Sequence, residues 1–175
     1  MTEPPAPTPR QLLLLSVPAL LVGVLSALIL WAVDLVAEVV EHAIWQAAPQ
    51  ALGVPAGSRW WIFAILTLTG MAVGLVVWKL PGHGGHDSAT TELVADPLPL
   101  SALPSLTLAV VLSLAGGVSL GPENPIIAIN VALAMALLVR LAPKVPPTLV
   151  MAMATAATIG ALFGTPVAAA LIFTG

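Results

Sequence analysis

The sequence predicts an all-α fold, a polytopic transmembrane helical bundle in which some helices are broken or re-entrant. Of its 175 residues, 59% are hydrophobic and only 7% are charged, whereas an ordinary soluble domain has about 25% charged residues. The mean hydropathy is +1.06. Long apolar segments alternate with glycine and proline clusters, which is the pattern of membrane helices with interruptions.

The composition also excludes several classes of function. The net charge of −3 comes from five basic and eight acidic side chains that form no basic cluster, so nothing supports binding to nucleic acid. The sequence has no cysteine, which removes disulfides, thiolate metal sites and thiol catalysis. No pattern of residues predicts a bound cofactor.

The N-terminal part contains a short tail and two spans. Residues 1–11 are predicted to be a proline-rich cytoplasmic tail, and residues 12–175 a single transmembrane ion-transport domain. Leu12–Val33 carries no charge and is long enough for a helix that needs about 20 residues to cross a bilayer. Trp60–Trp78 is the second span, because tryptophans at both ends and Lys79 after it are typical interfacial anchors.

Further apolar segments follow in the second half, at residues 103–120, 125–141 and 149–163. From Pro166 an apolar run continues to Gly175, about half the length that a spanning helix needs. The sequence thus stops within a helix. We expect this segment either to dock against another subunit or to belong to the front part of a longer protein.

The few cations predict the orientation of the spans. Alternating the segments across the membrane places Arg10, Lys79, Arg140 and Lys144 on one side and Arg59 on the other. Because cytoplasmic loops carry an excess of lysine and arginine, the N-terminus is predicted to be cytoplasmic. The protein is expected to be a multi-pass protein of the cell membrane, plasma or inner.

One carboxylate, Glu123, lies at a glycine and proline break between the third and fourth segments. An ionisable group at membrane depth is costly and marks a functional site by default. Pro122 and Pro125 flank it, and proline is favoured in the first turn of a helix. The next helix is therefore predicted to begin close to Asn124-Pro125, with the amides of Ile126 and Ile127 pointing into the break.

Free amides and the positive end of a helix dipole form an anion site without any cation. An ionised Glu123 could occupy that site itself and leave it when protonated, which would make this side chain a gate. Two other interpretations remain open. Glu123 could simply cap its own helix, or it could attract a cation.

The polar stretch between the second and third segments contains a second candidate site. His83 and His86 are three residues apart and Asp87 is adjacent, so a metal site, solvated loop histidines and contact with an anion all have to be considered. Within the fourth segment, Asn130 is the strongly polar residue. A hydrogen bond between helices is the favoured interpretation for it, ahead of contact with an ion.

Several motifs together resemble the CLC family of chloride channels and proton/chloride antiporters, in particular a divergent bacterial branch of ion-transport proteins. Gly121-Pro122-Glu123-Asn124-Pro125 is similar to the family's Gly-Arg/Lys-Glu-Gly-Pro motif. The supporting motifs occur in the same order and at matching separation: the glycine turn 82–86, the lead-in 116–120 and the stretch 160–168. The similarity runs from about Leu12 to the end of the chain and covers the first inverted-repeat half of the family's fold.

The resemblance implies roles for the two candidate sites. Glu123 would be the gating glutamate, and Gly121, Pro122, Asn124 and Pro125 would shape the helix start beside it. The turn at residues 82–86, which includes Gly82, His83 and Gly84, would stand where the family has Gly-Ser-Gly-Ile-Pro. His83 would replace the serine that contacts the central anion. The resemblance further implies chloride or another small anion as substrate, protons as a second substrate in the antiporters, and a homodimer in the lipid bilayer.

Three functions follow for testing. The leading hypothesis, from the resemblance, is a channel or a proton-coupled transporter for anions, with the chloride of the family as substrate, and not an enzyme. The second is an intramembrane hydrolase with a metal held by His83, His86 and Glu123. The third is a half subunit, or a truncated chain, that transports nothing until a partner supplies the other side of the pathway.

Overall fold

A computed structural model of the chain describes residues 9–55, 57–85, 97–118, 123–143 and 145–174, which contain helices and no strand. The fold is all-α, as predicted. A π-helical turn, Ala43–Ala47, follows the first helix, and a 3₁₀ turn, Leu100–Ala102, precedes the fourth. The helices are α1 (Pro9–His42), α2 (Ala48–Leu52), α3 (Arg59–Lys79), α4 (Leu103–Ala115), α5 (Glu123–Leu141), α6 (Pro147–Leu162) and α7 (Pro166–Thr174).

The bounds of three helices differ from those of the predicted segments. Helix α1 begins within the predicted tail and continues nine residues past Val33, because Asp34, Glu38 and Glu41 are exposed and can be solvated without ending the helix. Helix α4 ends at Ala115 instead of residue 120, since two glycines follow it. Helix α5 begins at Glu123, slightly before the predicted start.

The lengths of the helices agree with a broken bundle. The segment Leu15–Leu52 and helices α3 and α5 are long and apolar enough to cross a membrane, by length and composition. Helix α4 has 13 residues, which corresponds to about 20 Å at 1.5 Å per residue. This is shorter than a hydrocarbon core of about 30 Å, so α4 is too short to cross the membrane alone and covers part of the apolar segment predicted at residues 103–120.

A single stripe of helix α1 joins the two parts of the bundle. Its buried residues Val22, Ser26, Val33 and Ala37 lie at spacings of four and seven along the helix, which places them on one face. Val22 belongs to a buried cluster formed mainly by α5 and α6. Val33 belongs to a second cluster, formed with α4 and α5. The same face of α1 therefore packs first on α6 and then on α4.

Two interruptions between described helices share a left-handed glycine and a proline in the first turn of the next helix. We call residues 116–122 the Glu123 break and residues 163–165 the Gly164 break. In each, a glycine adopts a left-handed conformation after the preceding helix, Gly117 at φ +79° and Gly164 at φ +64°. A helix with proline in its first turn follows each break, α5 after the first and α7 after the second.

Candidate functional site

Glu123 is the first residue of helix α5, and its side chain is half-buried. Asn124 and Pro125 are also half-buried. Gly121 and Pro122, which complete the predicted motif, lie outside the described residues. The carboxylate therefore lies at the positive end of the α5 dipole, where a negative charge is stabilised.

Two consecutive isoleucines fix the start of α5 in the bundle. The Ile126 side chain is completely buried in the cluster with α4, and Ile127 is 5% exposed and belongs to the cluster with α6. Adjacent residues on a helix point about 100° apart, so the two side chains pack on different neighbours. The first turns of α5 are thereby held between α4 and α6, and the direction of this helix end is determined by packing.

Helix α4 ends in a Schellman motif at the entrance to the Glu123 break. The Val118 N–H donates to the Ser113 carbonyl at 3.0 Å, and the Gly117 N–H donates to the Leu114 carbonyl at 3.1 Å. Gly117 occupies the left-handed position that this motif reserves for glycine. The motif leaves the carbonyl of Ala115 without a partner inside the helix.

Trp45 supplies that missing partner from 70 residues away. Its Nε1–H donates to the Ala115 carbonyl oxygen at 2.9 Å. A Cβ at Gly117 would lie 3.3 Å from Cζ2 of the same indole ring, and a Cβ at Gly116 would overlap the side chain of Thr69 on α3. Trp45 and Thr69 were not predicted as site residues, because neither belongs to a local sequence motif around Glu123.

The second predicted site, the turn at residues 82–85, has an unusual backbone. All four residues have positive φ, including His83 at +48°, a region that favours glycine. A Cβ at Gly82 would overlap Ala102, and the Gly84 N–H donates to the buried Ser105 Oγ at 3.3 Å. The glycines therefore allow the turn to press closely against the start of α4.

The His83 ring is exposed and held by one hydrogen bond. Its Nδ1 lies 2.8 Å from the carbonyl oxygen of Val77, and a carbonyl accepts only, so Nδ1 carries the proton. In the neutral ring, Nε2 is then an acceptor and offers no N–H to an anion. Only the protonated imidazolium would present an Nε2–H donor and a positive charge to an anion.

The two predicted sites lie at opposite ends of α4. The Gly82–Gly85 turn contacts Ala102 and Ser105 near its beginning, and the Glu123 break follows its end. No contact within the described ranges joins Glu123 to His83. The proposed hydrolase would need both, together with His86, which lies outside the described residues. Among the residues that the structure describes, no group of three histidine or acidic side chains could hold a metal ion.

Asn130, two turns into α5, makes the predicted hydrogen bond between helices. Its Nδ2 donates to Thr158 Oγ1 on α6 at 2.7 Å, and Thr158 in turn donates to the Ala154 carbonyl at 2.7 Å. The two side chains are at most 1% exposed. Asn130 Oδ1 and the hydroxyl of Thr155 are buried without a partner among the described residues. The hydrogen bond fixes the contact between α5 and α6 about two turns after Glu123.

Comparison with known proteins gives a consistent result. Residues 69–174 match the family model of the voltage gated chloride channel. The chain is 54% identical over 167 residues to the putative ion-transport protein YfeO of Escherichia fergusonii, and 53% identical over 167 residues to the proteins of that name from Escherichia coli and Shigella boydii.

These alignments cover 95% of the chain and 40% of each relative. The chain thus spans about two fifths of the length of the curated relatives that it matches. No solved structure matches it significantly.

Proposed function

We propose, since this chain belongs to the voltage gated chloride channel family, that it forms part of a membrane protein that transports small anions. Chloride is the proposed substrate, as the description of the family suggests. The transport mode is that of a channel or of a proton-coupled transporter, and Glu123 is the proposed gate. The names of the relatives, which describe ion-transport proteins, support the same class of function.

The observation that carries this proposal is the position of Glu123 as the first residue of α5. A helix N-terminus attracts negative charge through its amides and its dipole. A permeating anion and the ionised Glu123 carboxylate would therefore compete for the same region. In a half-buried, low-dielectric position, this competition is stronger than it would be in water.

Protonation would resolve the competition. A neutral Glu123 carboxyl group no longer gains from the positive end of α5, so it can be displaced by an anion that keeps its charge. Acidification on the side that reaches Glu123 would then increase anion flux. If each transport cycle takes up and releases this proton in a fixed order, the same residue couples proton movement to anion movement.

The rest of the proposal concerns the whole protein. Because inverted-repeat transporters place the substrate between two halves, the helix start at Glu123 would form one side of the pathway and further sequence or a partner copy the other. We propose a homodimer in the cell membrane with a cytoplasmic N-terminus. The Gly82–Gly84 turn, with His83, would then lie at the inner entrance, opposite to Glu123. The buried side chains of Ile126 and Ile127 would hold the helix start in place at the outer site.

The test is anion flux from liposomes that contain the full-length protein, measured across a range of pH. Glu123→Gln replaces the carboxylate with a neutral group of the same shape. We expect this variant to transport chloride at a rate that no longer depends on pH. Glu41→Gln is the matched control, because Glu41 is an exposed acid on the last turn of α1, and it should keep the pH dependence of the wild type. A Glu123→Gln variant with an unchanged pH profile would refute the gate.

A further inference from the structure

The contact between Trp45 and the end of α4 has no role in the function proposed so far. Trp45 lies in the π-helical turn Ala43–Ala47, and such turns are rare and frequently occur at functional sites. In a regular α-helix, Trp45 would lie about 80° from the buried stripe of α1, which ends at Ala37. The wider π turn rotates each residue less, and this brings the indole toward α4.

We propose that Trp45 is a positioning residue for Glu123, which deepens the proposed function and depends on it for its meaning in transport. The indole binds the Ala115 carbonyl and packs beside Gly117. It therefore holds the C-terminal end of α4 to the end of α1, at the point where the chain leaves α4 toward Glu123.

The coupling to Glu123 runs through packed side chains that the structure describes. Val110 and Val111, on the turns of α4 just before Ala115, share a buried cluster with Ile126 and Ile129 of α5. Ile126 is three residues from Glu123 and completely buried. A shift of the end of α4 would therefore be transmitted to the first turn of α5, because close-packed interiors transmit displacement rather than absorb it.

Thr69 strengthens this arrangement from a second side. Its buried side chain touches the backbone of Gly116 so closely that no Cβ fits there. The end of α4 is thus held between α3 and the π-helical turn. We call Trp45, Thr69, Gly116 and Gly117 the α4 clamp. The indole N–H is the polar, directional part of this clamp, and its loss should loosen the helix end without removing the surrounding packing.

The test uses the absence of cysteine from this sequence. In the full-length protein, freed of any other reactive cysteine, Glu123→Cys provides a single thiol whose rate of modification by an anionic methanethiosulfonate reports how accessible position 123 is. Trp45→Phe removes the N–H and keeps an aromatic ring. Trp60→Phe is the matched control, because Trp60 is 82% exposed on α3. The modification rate can be measured in each variant without transport activity.

We expect Trp45→Phe to change the modification rate about threefold to tenfold, the factor that corresponds to one lost hydrogen bond, and Trp60→Phe to leave it unchanged. With Glu123 intact, Trp45→Phe should also move the pH of half-maximal flux, which Trp60→Phe should not. If the phenylalanine variant fails to fold, 3-benzothienylalanine at position 45, which keeps the shape of indole and lacks the N–H, serves in its place.

Equal modification rates in the Glu123→Cys protein with and without either tryptophan substitution would overturn the proposal, as would equal changes in the Trp45 and Trp60 variants. A changed rate only with the position 45 substitution supports it. The modification assay tests only the positioning of residue 123. If the flux of Glu123→Gln keeps the pH dependence of the wild type, the gate is refuted, and a changed modification rate still supports the positioning role of Trp45.

Discussion

The Glu123 break and the Gly164 break share a backbone conformation and differ in their surroundings. Gly117 and Gly164 both adopt left-handed φ angles, and helices with an early proline follow both. At the first break, an added Cβ would meet Thr69 at Gly116 and Trp45 at Gly117. At Gly164, no heavy atom of the described residues lies within 4 Å of such a Cβ.

This difference separates two properties that a sequence motif does not distinguish. The left-handed glycine determines that the helix stops, which is a local effect. The α4 clamp determines where the stopped helix end lies, which is an effect of distant residues. Only the break that carries the carboxylate has this second property. At the Gly164 break, a local hydrogen bond is described, in which Thr165 Oγ1 accepts the Val167 N–H at 3.2 Å.

The largest effect is expected from Gly116→Ala, which tests the tighter contact of the α4 clamp. Gly116 has a right-handed φ of −75°, so its backbone angles allow alanine. The added Cβ would overlap the Thr69 side chain and would also lie 2.9 Å from the Leu112 carbonyl oxygen. Overpacking of this kind costs about 1–3 kcal/mol, and we expect the upper end because Thr69 is buried. The measurement is thermal unfolding of the full-length protein in detergent, followed by circular dichroism.

Gly70→Ala is the control for this prediction. Gly70 is exposed in the middle of α3 with nothing near its Cβ position, and alanine is a better helix former than glycine by about 1 kcal/mol. The control should therefore unfold at the same temperature as the wild type or higher. A Gly116→Ala variant as stable as Gly70→Ala would show that Thr69 does not hold the end of α4.

The next effect is expected from Gly117→Ala and Gly164→Ala, which compare the left-handed glycines of the two breaks. Both substitutions place an L side chain at positive φ, which lowers the free energy of unfolding by about 1–2 kcal/mol. Gly117→Ala should lower it by about 0.5–1 kcal/mol more, because its Cβ would lie 3.3 Å from the Trp45 ring. The same unfolding measurement applies.

Trp45→Ala provides the internal check on that difference. In this background the indole is gone, and the costs of the Gly117 and Gly164 substitutions should become equal. If the Gly117 and Gly164 variants still differed in stability without the indole, the local backbone after α4 would be the cause. The two breaks would then differ for a reason other than the α4 clamp.

The sequence predicted those parts of the fold that depend on local signals. The second span was placed within one residue at each end of α3, because tryptophan and lysine mark where a helix enters and leaves the bilayer. Helix α1 continues beyond the predicted span Leu12–Val33 to His42, since a charge ends a membrane span but does not end a helix. The interhelical hydrogen bond of Asn130 was also predicted and is confirmed.

At the candidate site too, local features were predicted and contacts between distant residues were not. The start of α5 near Glu123 follows from the prolines around it, and the structure agrees to within about two residues. Trp45 and Thr69 could not be predicted, because their contacts with residues 115–117 join elements that are far apart in the sequence. Trp45 lies apart from the tryptophans that mark the ends of the second span, but this position in the sequence does not indicate which residue it contacts.

The smallest effect is expected at the Gly164 break, from Thr165→Ala. This substitution removes the hydroxyl that caps the Val167 N–H at the start of α7, and the loss of such a cap costs about 0.5–2 kcal/mol. We expect the lower end, because no heavy atom of the described residues lies within 4 Å of a Cβ added at the adjacent Gly164. Thr67→Ala is the control, since its hydroxyl binds the Phe63 carbonyl on an exposed face of α3 and caps nothing. If Thr165→Ala destabilised the protein as much as Gly116→Ala, the Gly164 break would be as strongly constrained as the Glu123 break, and the contrast between them would fail.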